Sequence, residues 1–104
     1  MRILFDQGTP RPLRRYLTGH EVRTSAQMGW SELGNGDLLV QAEGEFDLLL
    51  TTDKNIRHQQ TLRGKRLAVL VLPSPNWKKI QPNADKVLAA VEAIQPGDYR
   101  ELRA

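Results

Sequence analysis

The run Arg66-Leu67-Ala68-Val69-Leu70-Val71-Leu72 is unbroken in its apolar character after the first residue and lacks the alternation of a sheet with one wet face. A strand of that composition has to be covered on both sides, the condition of a central strand in a parallel sheet flanked by helices. Pro73 and Pro75 stop it. Two further apolar runs, Arg2-Ile3-Leu4-Phe5-Asp6 and Phe46-Asp47-Leu48-Leu49-Leu50-Thr51-Thr52-Asp53, each end in an aspartate. As parallel strands they deliver Asp6 and Asp53 to one edge of one sheet, the carboxyl edge at which open α/β sheets bind ligands.

The segments between these runs read as crossover helices and turns. A Gly8/Pro10 turn follows the first strand, and Leu13, Tyr16 and Leu17 sit at helical spacing in a short helix expected over 12–18, ended by Gly19. Residues 20–24 read as a second, more exposed strand. The glycine-rich stretch 28–36 reads as an irregular loop. Asn35 is expected to cap a helix beginning near Gly36 or Asp37, with Leu38, Leu39 and Ala42 buried and Gly44 closing it. Asp37 then falls in the first turn, where the helix dipole favours an acid. A third strand is expected over 46–52 and a basic, polar helix through Lys54, Ile56, Arg57 and Gln60. A final helix over 83–94 carries the stripe Val87, Leu88, Val91 and Ile94, and 98–102 form a short edge strand. The expected fold is α/β: a single domain over 1–104, built as a three-layer α/β/α sandwich on a mostly parallel sheet.

Composition narrows the function classes. The chain has no cysteine, which excludes disulfides and thiolate metal sites and fits a reducing cytoplasm. No apolar stretch approaches the roughly 20 residues of a membrane span, and the N-terminal run is too short for a signal peptide. The charge of +3 and pI of about 9.6 are compatible with a phosphate-bearing partner. The local clusters are more informative: Arg11, Arg14 and Arg15 follow Asp6, Lys54, Arg57 and His58 follow Asp53, and Lys78, Lys79 and the Arg63-Lys65-Arg66 group add to them. Each also reads as a solvated face.

Asp6 has two readings: an Asx turn helped by Gly8, or a metal ligand at a strand end. Asp53 likewise is either the N-cap of the next helix or a ligand. The same residue at both strand ends favours the ligand reading. Asp37 is the third acid, ahead of its rivals Glu32, Glu43 and Glu45, while Asp47 reads as structural or surface. Three close carboxylates repel one another, and a divalent cation offsets that repulsion. All-oxygen donors suit Mg²⁺ or Mn²⁺. His20 and His58 have no partner that suggests zinc, the serines have no nucleophile-elbow context, and the glycines match no phosphate-binding fingerprint. Trp30 and Trp77 either stack on a base or anchor loops to the core.

The motifs Ile3-Leu4-Phe5-Asp6-Gln7 with Pro10, the loop to Asp37, and Leu49-Leu50-Thr51-Thr52-Asp53-Lys54-Asn55 resemble the small bacterial PIN-like proteins of the DUF5615 group, related to VapC-type toxin nucleases. The likeness runs on to the strand end Leu70-Val71-Leu72-Pro73, and its most specific part is Thr51-x-Asp53 after an apolar strand. It implies a PIN-like sandwich and a metal-dependent ribonuclease site. Asp6 matches the first-strand acid, Asp53 the central acid, Thr51 the hydroxyl of the T-x-D motif and Asp37 the helix acid. Asn55 stands where many PIN domains carry a fourth acid, which weakens a second metal site. The chain is also shorter than a typical PIN toxin, and the region that often carries antitoxin and dimer contacts is reduced.

The leading expectation is a cytoplasmic, Mg²⁺- or Mn²⁺-dependent endoribonuclease acting on single-stranded RNA, the toxin part of a toxin–antitoxin pair. Asp6, Asp37 and Asp53 hold the metal, Thr51 and Asn55 support the site, and Arg14, Lys54 and Arg57 contact backbone phosphate. The rival is a catalytically weak or inactive PIN-like binding module acting through an antitoxin-like protein or a second copy. A receiver-like phosphoacceptor is disfavoured because Gln7 follows Asp6 where an acidic pair is wanted.

Overall fold

Among the described residues the apolar runs become a five-stranded, all-parallel sheet, with the strands Glu21–Thr24, Arg2–Phe5, Leu48–Thr51, Ala68–Val71 and Tyr99–Glu101 side by side in that order. The computed structural model describes residues 1–58 and 65–103, with the backbone alone of Asn35, Arg57 and His58. The strands are β1 (Arg2–Phe5), β2 (Glu21–Thr24), β3 (Leu48–Thr51), β4 (Ala68–Val71) and β5 (Tyr99–Glu101); the α-helices are α1 (Asn35–Glu43), α2 (Trp77–Ile80) and α3 (Ala84–Ala93). Every residue of β3 and β4 is buried, as unbroken apolar sequence requires of strands covered on both faces. No helix of the described residues is long and apolar enough to cross a membrane.

Two apolar layers make the sandwich. Ile3, Phe5, Val22, Leu48, Leu50 and Leu70 point to one face and pack with Leu13, Ile80, Val87 and Val91 from the 11–16 segment, α2 and α3. Leu4, Leu49, Val69 and Val71 point to the other, under Leu38, Leu39 and Ala42 of α1 and Ile56. The alternation hidden in the sequence is therefore between two wet-excluded faces, not between core and solvent. Trp30 joins the second layer edge-on to Phe46, with centroids 6.0 Å apart, and Trp77 tilts against Tyr16 at 5.6 Å beside the first. Both tryptophans are thus placed as loop and helix anchors.

Several expected elements shift. The segment expected as a helix over 12–18 is a 3-10 helix over Arg11–Tyr16 with Pro10 as its cap. Prolines at 10 and 12 withhold donors there, and bonds three residues back close the turn, Leu13 N–H to Pro10 C=O and Leu17 N–H to Arg14 C=O. Gly19 does not end it; it takes φ +85° in the turn leading to β2. The helix after Asp53 is likewise 3-10, over Lys54–His58, and its expected continuation to Gln60 lies outside the described residues, as does Arg63. The cap of α1 is Gly34, one residue before Asn35. The short helix α2 is an addition to the expected elements; Asn76 caps it, its side chain accepting from the Lys78 N–H at 3.0 Å. β5 extends the sheet in parallel with β4, so the sheet is wholly rather than mostly parallel.

One buried polar atom stands out. The Ser25 hydroxyl, 2% exposed, has no hydrogen-bond partner among the described residues. Ser25→Ala is expected to leave stability unchanged or raise it by up to about 1 kcal/mol, because an orphaned buried hydroxyl costs more than it returns. Urea unfolding checks this, and a clear loss of stability would mean the hydroxyl is satisfied.

Candidate functional site at the carboxyl edge of the sheet

The chain runs from β1 outward to β2 and then returns past β1 to β3. The β1/β3 boundary is therefore the point where the strand order reverses, and crevices form at such points beyond the carboxyl ends of the strands. In register, Phe5 lies opposite Leu50, so Asp6 and Thr51 are the next pair out. The Asp6 N–H donates to the Leu50 carbonyl at 3.2 Å, which holds the acid against the end of β3.

Three residues are joined there. Thr51, wholly buried at the end of β3, donates its hydroxyl to Asp6 Oδ2. The same Thr51 oxygen accepts the Asp53 N–H at 3.1 Å. One side chain thus ties the two strand-end acids together, which explains why threonine stands two residues before Asp53: alternation sends residue 51 inward toward its neighbour strand while the chain turns out at 53. Asp53 Oδ1 accepts the Asn55 N–H at 2.9 Å, so the residue also starts the 3-10 helix after it. Asn55 and Lys54 are exposed on that turn.

Asp6 is equally committed to its own loop. Its Oδ1 accepts the backbone N–H groups of Gly8 and Thr9, each at 3.1 Å. Thr9 Oγ1 lies 2.9 Å from that oxygen and 2.8 Å from the Leu50 carbonyl, with a single proton to give to one of them. The Asx-turn reading of Asp6 therefore describes Oδ1, and Oδ2 faces Thr51. The chain signalled the Gly8 turn but not the buried Thr9, whose tie to Leu50 is 41 residues long in sequence; the spacing Asp6-x-Gly8-Thr9 was the one local hint.

Gly8 is needed for space rather than for φ. A Cβ there would sit 2.5 Å from Thr52 Oγ1, on a β-branched side chain with little rotamer freedom. Gly8→Ala is expected to cost about 1–2 kcal/mol by overpacking and to shift the 6–9 turn off the acid. Thermal unfolding reads the first effect, and a change in any metal affinity reads the second.

Asp37 is exposed in the first turn of α1. At the other end of that helix, Glu43 accepts the N–H groups of Arg66 and Leu67 at the foot of β4, at 2.6 and 3.0 Å. The helix consequently runs against the strands and carries Asp37 toward the carboxyl edge. Among the described residues, however, no three His, Asp or Glu residues are gathered so as to hold one ion. The donors joined at the edge are Asp6, Thr51 and Asp53. They fit a less enclosed arrangement: Mg²⁺ keeps several waters and is often held by one or two carboxylates plus a substrate phosphate. Oδ2 of Asp6, with one acceptor bond, and the Asp53 carboxylate are the groups chemically suited to this.

Of the expected phosphate contacts, Arg14 and Lys54 are exposed on the segments that follow the two acids, while the side chain of Arg57 lies outside the described residues, as does that of His58. Asp47 belongs to the opposite edge, where it accepts the Arg2 N–H at 2.7 Å. A cavity of about 380 Å³ opens there between Arg2, Asp47, Arg66 and Gln95, far along the strands from the acid pair. No family model, no curated protein and no solved structure matches this chain.

Proposed function

We propose that this chain is a PIN-like, divalent-metal-dependent ribonuclease that hydrolyses phosphodiester bonds in single-stranded RNA. The observation that carries the reading is the Asp6–Thr51–Asp53 chain of hydrogen bonds at the strand-order reversal. The resemblance of the Thr51-x-Asp53 segment to PIN-like proteins of the DUF5615 group adds to it. Asp6 and Asp53 would hold Mg²⁺ or Mn²⁺, with Asp37 approaching from α1. When bound, such an ion supplies charge stabilisation at the phosphoryl oxygens and a more acidic water. Thr51 fixes the orientation of Asp6, the 6–9 turn holds the other carboxylate oxygen, and Arg14 and Lys54 offer charge to backbone phosphates without reading sequence. A role as the toxin part of a cytoplasmic toxin–antitoxin pair belongs to the same proposal. The test is Mn²⁺-dependent cleavage of single-stranded RNA by the wild type and by Asp53→Asn; equal activity of the two would sink the assignment.

A second reading is a binding module of the same fold acting through an antitoxin-like protein or a second copy. The engagement of Asp6 by its own loop and by Thr51 favours it. Calorimetric titration with Mn²⁺ separates the two, since a binding module has no need of metal at the acid pair.

A further inference from the structure

Among the described residues, clefts open on the carboxyl edge on each side of the acid pair. The first, about 290 Å³, lies over the ends of β1 and β2 and is lined by Phe5, Arg11, Arg14, Thr24, Ala26 and Gln27. The second, about 310 Å³, lies over the ends of β4 and β5, with Lys54, Leu72, Pro73, Glu101 and Arg103 in its walls. Phe5 is the chain neighbour of Asp6 and Lys54 that of Asp53, so the clefts adjoin the acids directly.

Their cations have no carboxylate partner in an ion pair among the described residues, whereas Arg2 and Arg23 elsewhere pair with Asp47 and Glu21. Cations on either side of an acidic centre form a plus–minus–plus pattern along the strand order. The outer phosphates of an extended polyanion match the cations on the two sides, with no call on a metal at the acids between them. Strands lie about 4.8 Å apart, so β2 to β5 spans roughly 19 Å. A stacked single strand advances about 3.4 Å per nucleotide, and a mononucleotide cannot reach both clefts.

We propose that the carboxyl edge is a phosphate track for single-stranded RNA, crossing the strands from the Arg11/Arg14 cleft over Asp6 and Asp53 to the Lys54/Arg103 cleft. Arg11 and Arg103 are its outer phosphate-binding residues. The proposal rests on the RNA-directed reading above. The first cleft carries two cations and no acid, while Glu101 offsets part of the charge in the second, so Arg11 contributes more than Arg103.

The experiment is fluorescence anisotropy of a short labelled oligouridylate, titrated with protein in EDTA at several salt concentrations. Wild type, Arg11→Gln and Arg103→Gln are compared with Arg66→Gln, which removes the same charge from the opposite edge. For a single strand, each phosphate that the protein no longer neutralises lowers the salt slope by about 0.7, equivalent to about fivefold in affinity at ~0.1 M salt. Arg11→Gln and Arg103→Gln are expected to show that loss, the former at least as strongly, and Arg66→Gln to keep the wild-type slope. Equal loss in all three variants, or none in the two track variants, overturns the proposal. Because binding is read without metal, failure of cleavage leaves this result standing, and failure of the track leaves the cleavage test intact.

Discussion

Asp53→Asn is expected to reduce Mn²⁺-dependent cleavage of single-stranded RNA by about 100-fold or more. Even residues that only support a metal ligand cost 10- to 100-fold when changed, and Asp53 is proposed as a ligand itself. The substitution removes one negative charge from the acid pair, while an amide oxygen can still accept the Asn55 N–H that Asp53 Oδ1 now accepts. Since the amide keeps the shape of the side chain and this bond, the stability change should stay within about 1 kcal/mol, a thermal midpoint within roughly 8 °C of wild type. Calorimetry should show weaker Mn²⁺ binding in parallel. Activity that survives Asp53→Asn at wild-type level would place the chemistry elsewhere, and loss of activity together with loss of folding would disqualify the variant as a probe. The pairing of a large activity effect with a small stability effect is what makes Asp53 the better of the two strand-end acids to test.

The strands were legible because their cause is local. Unbroken apolar runs such as 48–50 and 68–72 have few options other than buried parallel strands, and turns at Gly8 and Pro73 bound them. Two acids at the ends of two such runs made the carboxyl edge visible as well. Helix type was not legible at 11–16: Leu13, Tyr16 and Leu17 suit either an α or a 3-10 helix, and the prolines decided it. The cap of α1 moved by one residue because Gly34 and Asn35 are both acceptable there. At the site, the turn reading of Asp6 describes its Oδ1, whereas Oδ2 takes the Thr51 hydroxyl and its part as a ligand belongs to the proposal, a division that needs coordinates. The sharing of the Thr51 hydroxyl between residues 6 and 53 also depends on strand register, which the sequence does not carry on its face.

Asp6→Ala is expected to be the most destabilising change at the edge, costing about 3–4 kcal/mol. The carboxylate satisfies the Gly8 and Thr9 N–H groups and the Thr51 hydroxyl, and each orphaned buried donor costs about 1–3 kcal/mol, eased here by the half-exposure of Asp6. At roughly 4–8 °C per kcal/mol for a chain of this size, the thermal midpoint should fall by about 15–25 °C. Asp6→Asn should cost less, because the amide oxygen can keep the two backbone donors. Its NH₂ would then face Thr51, whose oxygen already accepts from Asp53 and whose proton loses its acceptor. A double-mutant cycle isolates that one interaction. If Thr51→Val and Asp6→Asn act through it, the combined loss should fall short of the sum by about 1 kcal/mol or more, whereas independent sites add. Strict additivity would mean that Thr51 does not orient Asp6. The same cycle bears on function, because an acid that anchors its own loop loses activity on mutation for two reasons, and only the coupling energy and a stability measurement tell them apart.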